Sequence, residues 1–339
     1  MGALGLAAYF GGDAGNTTMP DHLTSPSLTT PMLRQIAMEP GRACPAPGEV
    51  HIVDQMIAER SRGLRSHPLW PLMRPFLWKI LHYREAVELA DTVATMSAEE
   101  LFAHAAGQLS LDVRARGVEH IPSEGGFMVV CNHPTGIADG LAMYEMLKAR
   151  RPDMVFMANR DALRVNIRLA DMIVPVEWRE GAKSAAKAKE TLKLTARAIE
   201  REVALVIFPS GRLATWREGA LTERPWMPSA VALAKKHDLP IVPMNMAARN
   251  SGLFYLVSRF SQELRDMTVF HELLNKKGAR FDLTVGAPID PATLGDTARE
   301  TERLQAYCTG ALARDPKAVF EPMAHEPAPR LAGAPSNDA

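Results

Sequence analysis

The spacing of apolar residues predicts alternating strands and helices from about residue 111 onward. Short continuous apolar runs such as Phe127–Cys131 and Val203–Phe208 favour buried strands, because they are too short for helices and end at turn residues. Stretches such as Lys183–Glu202 instead show the spacing of an amphipathic helix. The predicted strands are 111–115, 127–131, 154–158, 172–176, 203–208, 240–244 and 280–285, and the predicted helices are 141–151, 183–202, 229–237 and 297–312.

This alternation predicts an α/β fold with a mostly parallel, twisted sheet covered by helices, occupying residues 111–312. A helical N-terminal element, residues 51–110, precedes it. The segments 1–50 and 313–339 are rich in glycine, proline and small polar residues and have little apolar periodicity, so we predict that both are largely disordered.

One stretch of the N-terminal element, residues 66–90, combines an apolar stripe with aromatic and basic residues. Its pattern predicts a helix that begins at Pro75 and carries Phe76, Ile80, Tyr83 and Val87 on one side. Such a helix either lies in the plane of a membrane surface or packs on the core of the protein, and the sequence leaves both interpretations open. The neighbouring aromatic and basic residues are Trp70, Arg74, Trp78, Lys79, His82 and Arg84.

Composition excludes several classes of protein. Lysine plus arginine and aspartate plus glutamate each number 39, so no overall charge favours nucleic acid as a partner. Three scattered cysteines give neither a disulfide framework nor metal-ligand spacing, and Cys131 is better explained as a core residue than as a nucleophile. No stretch approaches the ~20 apolar residues of a membrane-spanning helix. We therefore expect a cytoplasmic protein that can bind peripherally to the inner face of the cell membrane.

Polar residues follow several predicted strands and are the candidates for chemistry. His133 and Asp139 come after the strand 127–131, and Ser210, Gly211 and Arg212 come after 203–208. The carboxyl ends of parallel strands form one edge of a sheet, so these groups could share a crevice. A histidine oriented by a carboxylate is a general base, and an arginine binds phosphate, which suggests acyl or phosphoryl transfer. A serine hydrolase is disfavoured because Pro209 stands before Ser210 and the glycine of a nucleophile elbow is missing.

Three blocks in this order resemble the glycerolipid acyltransferase family, which includes the lysophosphatidate acyltransferases. The stretch 117–140, GVEHIPSEGGFMVVCNHPTGIADG, is similar to the strand and His-four residues-Asp motif that open the family's domain. FPSGR at 208–212 resembles its Phe-Pro-Glu-Gly-Thr-Arg block, and IVPMNM at 241–246 resembles its Val-Pro block. HPTGIADG and RNSGLFYL at 249–256 are similar to the hemolysin-like bacterial branch of the family.

The resemblance implies a glycerol-3-phosphate acyltransferase-like fold and a role for each matching residue. His133 would deprotonate an acceptor hydroxyl, which attacks the thioester of acyl-CoA or acyl-ACP, and Asp139 would orient the imidazole. Arg212 with Gly211 and Ser210 would bind the polar head of the acceptor, and Arg160 would add a second cation. The acyl thioester is a co-substrate, and no other cofactor or metal is implied.

The sequence departs from the family pattern at two positions. Five residues separate His133 from Asp139 instead of four, so the turn at Pro134–Gly136 must absorb the extra residue if the two side chains are to meet. Ser210 stands where the more familiar block has glutamate, which removes a carboxylate and weighs against lysophosphatidate as the acceptor.

Together these features predict an O-acyltransferase that transfers a fatty acyl group to the hydroxyl of a lysophospholipid or another lysolipid in membrane lipid synthesis. Two alternatives from other classes stay open at this point. One is a non-catalytic lipid-binding protein in which the longer spacing has abolished the base. The other is a hydrolase that transfers the acyl group of a thioester to water.

Overall fold

The computed structural model describes residues 50–323, apart from residue 218. Nine strands are found in this part of the chain, most of them short and continuously apolar. They are β1 Asp112–Arg116, β2 Phe127–Cys131, β3 Val155–Asn159, β4 Ile173–Val176, β5 Ala204–Ile207, β6 Thr215–Arg217, β7 Ala220–Thr222, β8 Ile241–Ala247 and β9 Arg280–Val285.

The helices fall into an N-terminal group and a group that alternates with the strands. The first group is α1 Ile52–Arg60, α2 Arg62–Arg65, α3 Trp70–Ile80, α4 Tyr83–Val93 and α5 Ala98–Leu109. The second is α6 Ile137–Leu147, α7 Ala162–Val165, α8 Ala185–Glu200, α9 Ser229–His237, α10 Gly252–Phe260, α11 Gln262–Met267, α12 Val269–Leu274, α13 Thr297–Ala306 and α14 Leu312–Arg314.

Seven strands form the central sheet, in the order β1-β9-β8-β2-β5-β3-β4. Every neighbouring pair is parallel except β8 and β9, which are antiparallel. The strands β8, β2, β5, β3 and β4 therefore run in one direction and end at one edge. This confirms the predicted α/β fold with a mostly parallel sheet, and it places the ends of β2, β5 and β3 side by side.

The central strand β2 explains why its sequence is continuously apolar. Phe127, Val129 and Cys131 pack on one face of the sheet with helices α5 and α6, while Met128 and Val130 pack on the other face with α8 and α9. All five side chains are fully buried. A strand that is covered on both faces has no side for polar residues, so the first polar positions come where the strand ends.

The N-terminal helices form a separate small core with the helices that follow β8. Val53 and Ile57 of α1, Ala86 and Ala90 of α4, and Met267 of α11 are buried together. The helix predicted to begin at Pro75 has the wrong bounds. Pro75 lies inside α3, and the helical structure is interrupted at His82, whose φ is 51°. Within the described residues, no helix is long and apolar enough to cross a membrane.

Most predicted elements of the sheet are present, with shifts of one to four residues at their ends. The strands β2 and β9 and helix α9 have the predicted bounds. The hairpin β6–β7 and the helices α10 to α12 were not predicted. Of the segments predicted to be largely disordered, 1–50 and 313–339, residues 1–49 and 324–339 lie outside the described residues. Residues 313–323 are described, and there the prediction is wrong, because α14 ends at Arg314 and Phe320 is buried against Tyr307.

Candidate active site at the carboxyl ends of the strands

The chain turns sharply after β2 and then begins helix α6. Pro134 cannot continue the ladder, and Gly136 has a φ of 107°, a conformation that favours glycine. A Cβ atom at Gly136 would also lie only 3.1 Å from a methyl group of Leu213. Asp139 is the third residue of α6, and its carboxylate accepts from the backbone N–H groups of Thr135 at 2.8 Å and of Gly136 at 3.0 Å. The carboxylate thus caps the helix and fixes the turn.

The same carboxylate holds the imidazole of His133. His133 Nδ1 lies 2.8 Å from Asp139 Oδ2, and the hydroxyl of Thr135 donates to Asp139 Oδ1. Because an ionised carboxylate only accepts, Nδ1 carries the proton, and Nε2 keeps its lone pair. The Asp139 side chain is fully buried, while 20% of the His133 side chain is exposed. This is the geometry of an oriented imidazole that can take a proton from a molecule in solution.

The five-residue spacing between these two side chains does not prevent their contact. His133 lies in the turn and not on α6, so the angle between positions of a regular helix does not apply to the pair. The turn Pro134–Gly136 absorbs the extra residue, as the contact requires. The distance is therefore settled, whereas the catalytic roles of His133 and Asp139 stay predictions.

The loop after β5 packs directly against His133. The ring of Phe208 stacks on the imidazole, with 4.4 Å between ring centroids and an angle of 20° between planes. The backbone N–H of Ala214 donates to the carbonyl oxygen of His133 at 3.0 Å. The loop that contains FPSGR is thus in direct contact with the turn that carries His133, although about 75 residues separate the two in sequence.

Within this loop, Ser210 and Gly211 shape the turn, and Arg212 supplies a positive charge. The Ser210 hydroxyl donates to the carbonyl oxygen of Arg212 at 2.8 Å, and the N–H of Gly211 donates to Phe208 at 3.1 Å. Gly211 has a φ of 57°, and a Cβ there would clash with the ring of Trp178. The guanidinium of Arg212 has no carboxylate partner in the described part of the chain, and its side chain is partly exposed. Arg212 is therefore the member of this group that can bind an anion.

Arg160, predicted as a second cation for the acceptor, is already paired. Its guanidinium lies 2.5 Å from Glu190 Oε2 on α8, and both side chains are largely buried. A buried cation matched by a carboxylate has little remaining attraction for a substrate anion. The structure thus places Arg160 at the end of β3, where it anchors α8.

Asp161, the next residue, belongs to a larger ionic network that closes this end of β3. Its carboxylate lies 2.6 Å from Arg60 of α1 and 3.5 Å from both Arg164 and Arg179. Glu59 pairs with Arg164 at 2.8 Å, and this lowers the pKa of Glu59. The N-terminal helix α1 thus supplies both charges and cover to the end of β3.

Glu223, which was not predicted from the sequence, contacts the turn that carries His133. One carboxylate oxygen accepts from the backbone N–H of His133, and the other accepts from the indole N–H of Trp226 at 2.7 Å. Burial raises the pKa of Glu223 above its usual value. The stretch around Glu223 has no apolar period and lies 90 residues from His133, so the sequence held no signal for this contact.

A cavity of about 1140 Å³ opens beside the turn. Asn132 and Pro134, the two chain neighbours of His133, line it together with Glu223, Asn245 and Asn250. Neither His133 nor Arg212 is among its lining residues within the described part of the chain. Its wall at β2 and β8 is polar, and the side-chain oxygen of Asn250 is buried there without a hydrogen-bond partner among the described residues.

Two amide side chains attach the turn to the end of β8. The side chain of Asn132 exchanges hydrogen bonds with the backbone of Met246 at 2.7 and 2.8 Å. Asn250 Nδ2 donates to the carbonyl oxygen of Thr135 at 3.2 Å. Cys131, just before the turn, is fully buried, and burial raises the pKa of its thiol well above the usual value. Its assignment to the core is therefore confirmed, and it is not placed to act as a nucleophile.

Comparison with known proteins finds one family model and two curated relatives. The family model described as Acyltransferase matches residues 112–247. A lyso-glycine lipid O-acyltransferase of Bacteroides thetaiotaomicron is 26% identical over 188 residues, which cover 53% of this chain and 67% of that relative. A protein of the same name from Phocaeicola vulgatus is 24% identical over 196 residues, covering 56% and 68% of the two chains.

Among solved structures, the 1-acyl-sn-glycerophosphate acyltransferase PlsC from Thermotoga maritima is similar to 78% of this chain and 97% of its own, with a TM-score of 0.42 and 14% identity. The family match extends from β1 through β8. It therefore contains His133, Asp139 and Arg212.

Proposed function

We propose that the chain is a member of the acyltransferase family whose model matches residues 112–247, and that it is an O-acyltransferase acting on a lysolipid. The donor is acyl-CoA or acyl-ACP, and the acceptor is the free hydroxyl of the lysolipid. The observation that carries the proposal is the 2.8 Å contact between His133 Nδ1 and Asp139 Oδ2. The narrower assignment to the hemolysin-like branch stays a prediction.

The proposed reaction uses the imidazole first as a base and then as an acid. His133 Nε2 takes the proton of the acceptor hydroxyl while that oxygen attacks the thioester carbonyl carbon. The tetrahedral intermediate collapses with cleavage of the carbon–sulfur bond, and the imidazolium returns its proton to the departing thiolate. Asp139 keeps Nδ1 protonated and stabilises the imidazolium while it exists. The products are an ester and a free thiol.

The acceptor is held by its polar head in this proposal. Both curated relatives are named for a lyso-glycine lipid, which supports a lysolipid as the acceptor class. Arg212 would attract an acidic group of the head, since its guanidinium has no carboxylate partner among the described residues. The side-chain oxygen of Asn250, which is buried at the wall of the cavity without a hydrogen-bond partner among the described residues, can accept a hydrogen bond from the rest of the head group.

The proposal also places the enzyme on the inner face of the cell membrane, because its two substrates are a lipid and a cytoplasmic thioester. Helix α3 supports attachment to that surface. Leu72 and Phe76 lie one helical turn apart and are 78% and 66% exposed, with Arg74 and Lys79 on the same exposed helix. Large apolar side chains interleaved with cations are typical of helices that lie in a membrane surface.

A thiol-release assay tests the proposal directly. The purified chain is given acyl-CoA or acyl-ACP together with a panel of lysolipids, and the labelled acyl group is followed to its product. We expect release of thiol that depends on a lysolipid, with the label in an ester. In His133→Ala the rate should fall by about 10²–10⁴-fold, whereas His237→Ala, at the end of α9, serves as the matched control.

Three outcomes would contradict the proposal. Label that appears as free fatty acid in the presence of every acceptor would identify a thioester hydrolase. Thiol release that persists unchanged in His133→Ala would remove His133 from the reaction. A chain that binds lysolipids but releases no thiol would be a lipid-binding protein instead of an enzyme.

A further inference from the structure

Helix α10, which follows the end of β8, exposes large apolar side chains close to the candidate site. Leu256 and Phe260 lie one turn apart and are 55% and 80% exposed, although Phe254 on the other side of the helix is fully buried. Trp216 of the hairpin β6–β7 is 51% exposed, and its ring centroid is 6.0 Å from that of Tyr255 on α10. Helix and hairpin together thus present an apolar surface that their own core does not use.

Three arginines are among the described side chains of this surface. Arg217 follows Trp216, Arg249 precedes α10, and Arg259 precedes Phe260. All three side chains are exposed, and none has a carboxylate partner in the described part of the chain. Two arginines elsewhere in the protein, Arg151 and Arg160, are instead paired with acidic residues. Apolar side chains interleaved with free arginines complement an anionic lipid surface.

Hydrogen bonds connect this surface to the catalytic turn. The hydroxyl oxygen of Tyr255 accepts from the backbone N–H of Asn250 at 2.9 Å. The side chain of Asn250 in turn donates to the carbonyl oxygen of Thr135, which neighbours Pro134 in the turn. Ile137, the first residue of α6, is also 46% exposed. The apolar surface is therefore attached to the rim of the His133 site.

We propose that α10 and the hairpin β6–β7 form a second lipid-contact surface, distinct from α3, which binds an anionic bilayer and brings the acyl chain of the acceptor to His133. The inference rests on the proposed function, since only a lipid-modifying enzyme needs a bilayer at this place. Beyond the proposed function, this inference states that the His133 site faces the bilayer and that α3 is not the only part of the protein that binds to it.

An acidic protein, such as an acyl carrier protein, is the other partner that free arginines would attract. A partner held mainly by charge would depend little on Phe260, whose side chain is 80% exposed. A bilayer instead takes up the apolar side chains themselves. Replacement of Leu256 and Phe260 without any change of charge therefore distinguishes the two partners.

Vesicle sedimentation with the full chain tests the proposal. The vesicles are phosphatidylcholine alone or phosphatidylcholine mixed with phosphatidylglycerol. Against wild type, Leu256→Ser with Phe260→Ser should lower the partition coefficient on the mixed vesicles at least tenfold, because two large apolar side chains are lost from the interface. The matched control is Val319→Ser, which changes a side chain that is 73% exposed outside this surface, and it should partition within about twofold of wild type.

A second variant covers the case in which the double serine variant does not fold, as judged by its melting temperature. Arg249→Gln with Arg259→Gln leaves the apolar residues intact and should weaken binding to the phosphatidylglycerol vesicles about tenfold, with little change on phosphatidylcholine alone. Partition equal to wild type in a folded double serine variant would overturn the proposal. So would an arginine variant that binds both kinds of vesicle as wild type does.

Sedimentation also separates this inference from the proposed function. The His133→Ala chain should bind vesicles as wild type does, since the imidazole is not part of the surface. If vesicle binding depends on Leu256 and Phe260 but no thiol is released, the surface stands and the transferase proposal fails. If thiol release depends on His133 but vesicle binding does not change when Leu256 and Phe260 are replaced, only the proposed lipid-contact surface is rejected. If the variant Arg249→Gln with Arg259→Gln no longer binds an isolated acyl carrier protein but still binds vesicles as wild type does, the surface is assigned to that protein instead.

Discussion

The carboxyl ends of β2 and β3 look alike in sequence and differ in what their charges do. An asparagine lies just after the end of β2 and at the end of β3, and basic and acidic residues follow it in both cases. At β2 the pair of His133 and Asp139 leaves the imidazole partly exposed, with a lone pair on Nε2. At β3, Arg160 and Asp161 are neutralised by residues from α8 and α1. A strand end becomes a site only where a polar group is left unmatched, and this depends on distant parts of the chain.

The same substitution at both ends should separate chemistry from stability, and it has the largest expected effect. Asp139→Asn removes the anion that keeps Nδ1 protonated, so kcat/KM for thiol release should fall by about 10²–10⁴-fold. Asp161→Asn should instead lower the free energy of unfolding by about 1–3 kcal/mol, because Arg60 loses its buried partner. Rates are measured per folded enzyme, and unfolding is followed with urea.

The contrast between the ends of β2 and β3 would be contradicted if Asp139→Asn and Asp161→Asn had the same effects. A loss of activity in Asp161→Asn that remains after correction for unfolded protein would make the end of β3 part of the site. Unchanged activity in Asp139→Asn would show that the imidazole needs no orienting carboxylate.

The two predicted cations give the next contrast. Arg212→Gln should raise KM for an acidic lysolipid by roughly 10–100-fold with a smaller change in kcat, as expected for a charged hydrogen bond to the head group. Arg160→Gln should leave Glu190 buried without its partner and lower the melting temperature. Steady-state kinetics on acidic and neutral acceptors, together with thermal unfolding, provide the measurements. A KM effect of the same size on a neutral acceptor would argue against anion binding by Arg212.

Much of the fold could be predicted from the sequence, because its dominant signal is local. Strands covered on both faces, such as β2, are continuous apolar runs, and helices such as α8 carry a clear period. The helices α11 and α12 escaped prediction because each has only six residues and their buried side chains divide between two cores, Met267 in the N-terminal core and Leu273 in the main core. The interruption of the helix at His82 was not predicted, because a left-handed backbone conformation at a histidine has no signature in the sequence.

The site could be predicted only as far as its groups are neighbours in sequence. His133 and Asp139 are six positions apart, and the turn between them is marked by proline and glycine. The pairing of Arg160 with Glu190 and the contact of Glu223 with His133 join residues 30 and 90 positions apart. Such contacts follow from the order of strands in the sheet, which apolar periodicity does not specify.

Glu223 offers the smallest effect and tests how firmly the catalytic turn is held. Its two oxygens accept from the N–H groups of His133 and Trp226, and in Glu223→Gln one of these donors must face an NH₂ group. We expect kcat to fall by about two- to tenfold, which corresponds to one neutral hydrogen bond of ~0.5–1.5 kcal/mol. The exposed Glu119→Gln is the matched control, and the thiol-release assay provides the rates.

The pH dependence of stability adds a readout that a change of shape alone would not give. Burial raises the pKa of Glu223 above 4.5, so folding disfavours its charged form. Its contribution to the free energy of unfolding is then fully present below the unfolded pKa and is lost as the pH rises through the raised pKa. Because glutamine stays neutral, the stability of wild type relative to Glu223→Gln should decline with rising pH across that window, as urea unfolding at a series of pH values would measure. A constant difference from about pH 4 to about pH 8 would mean that Glu223 titrates as it does in the unfolded chain, and the carboxylate would then not be buried against His133.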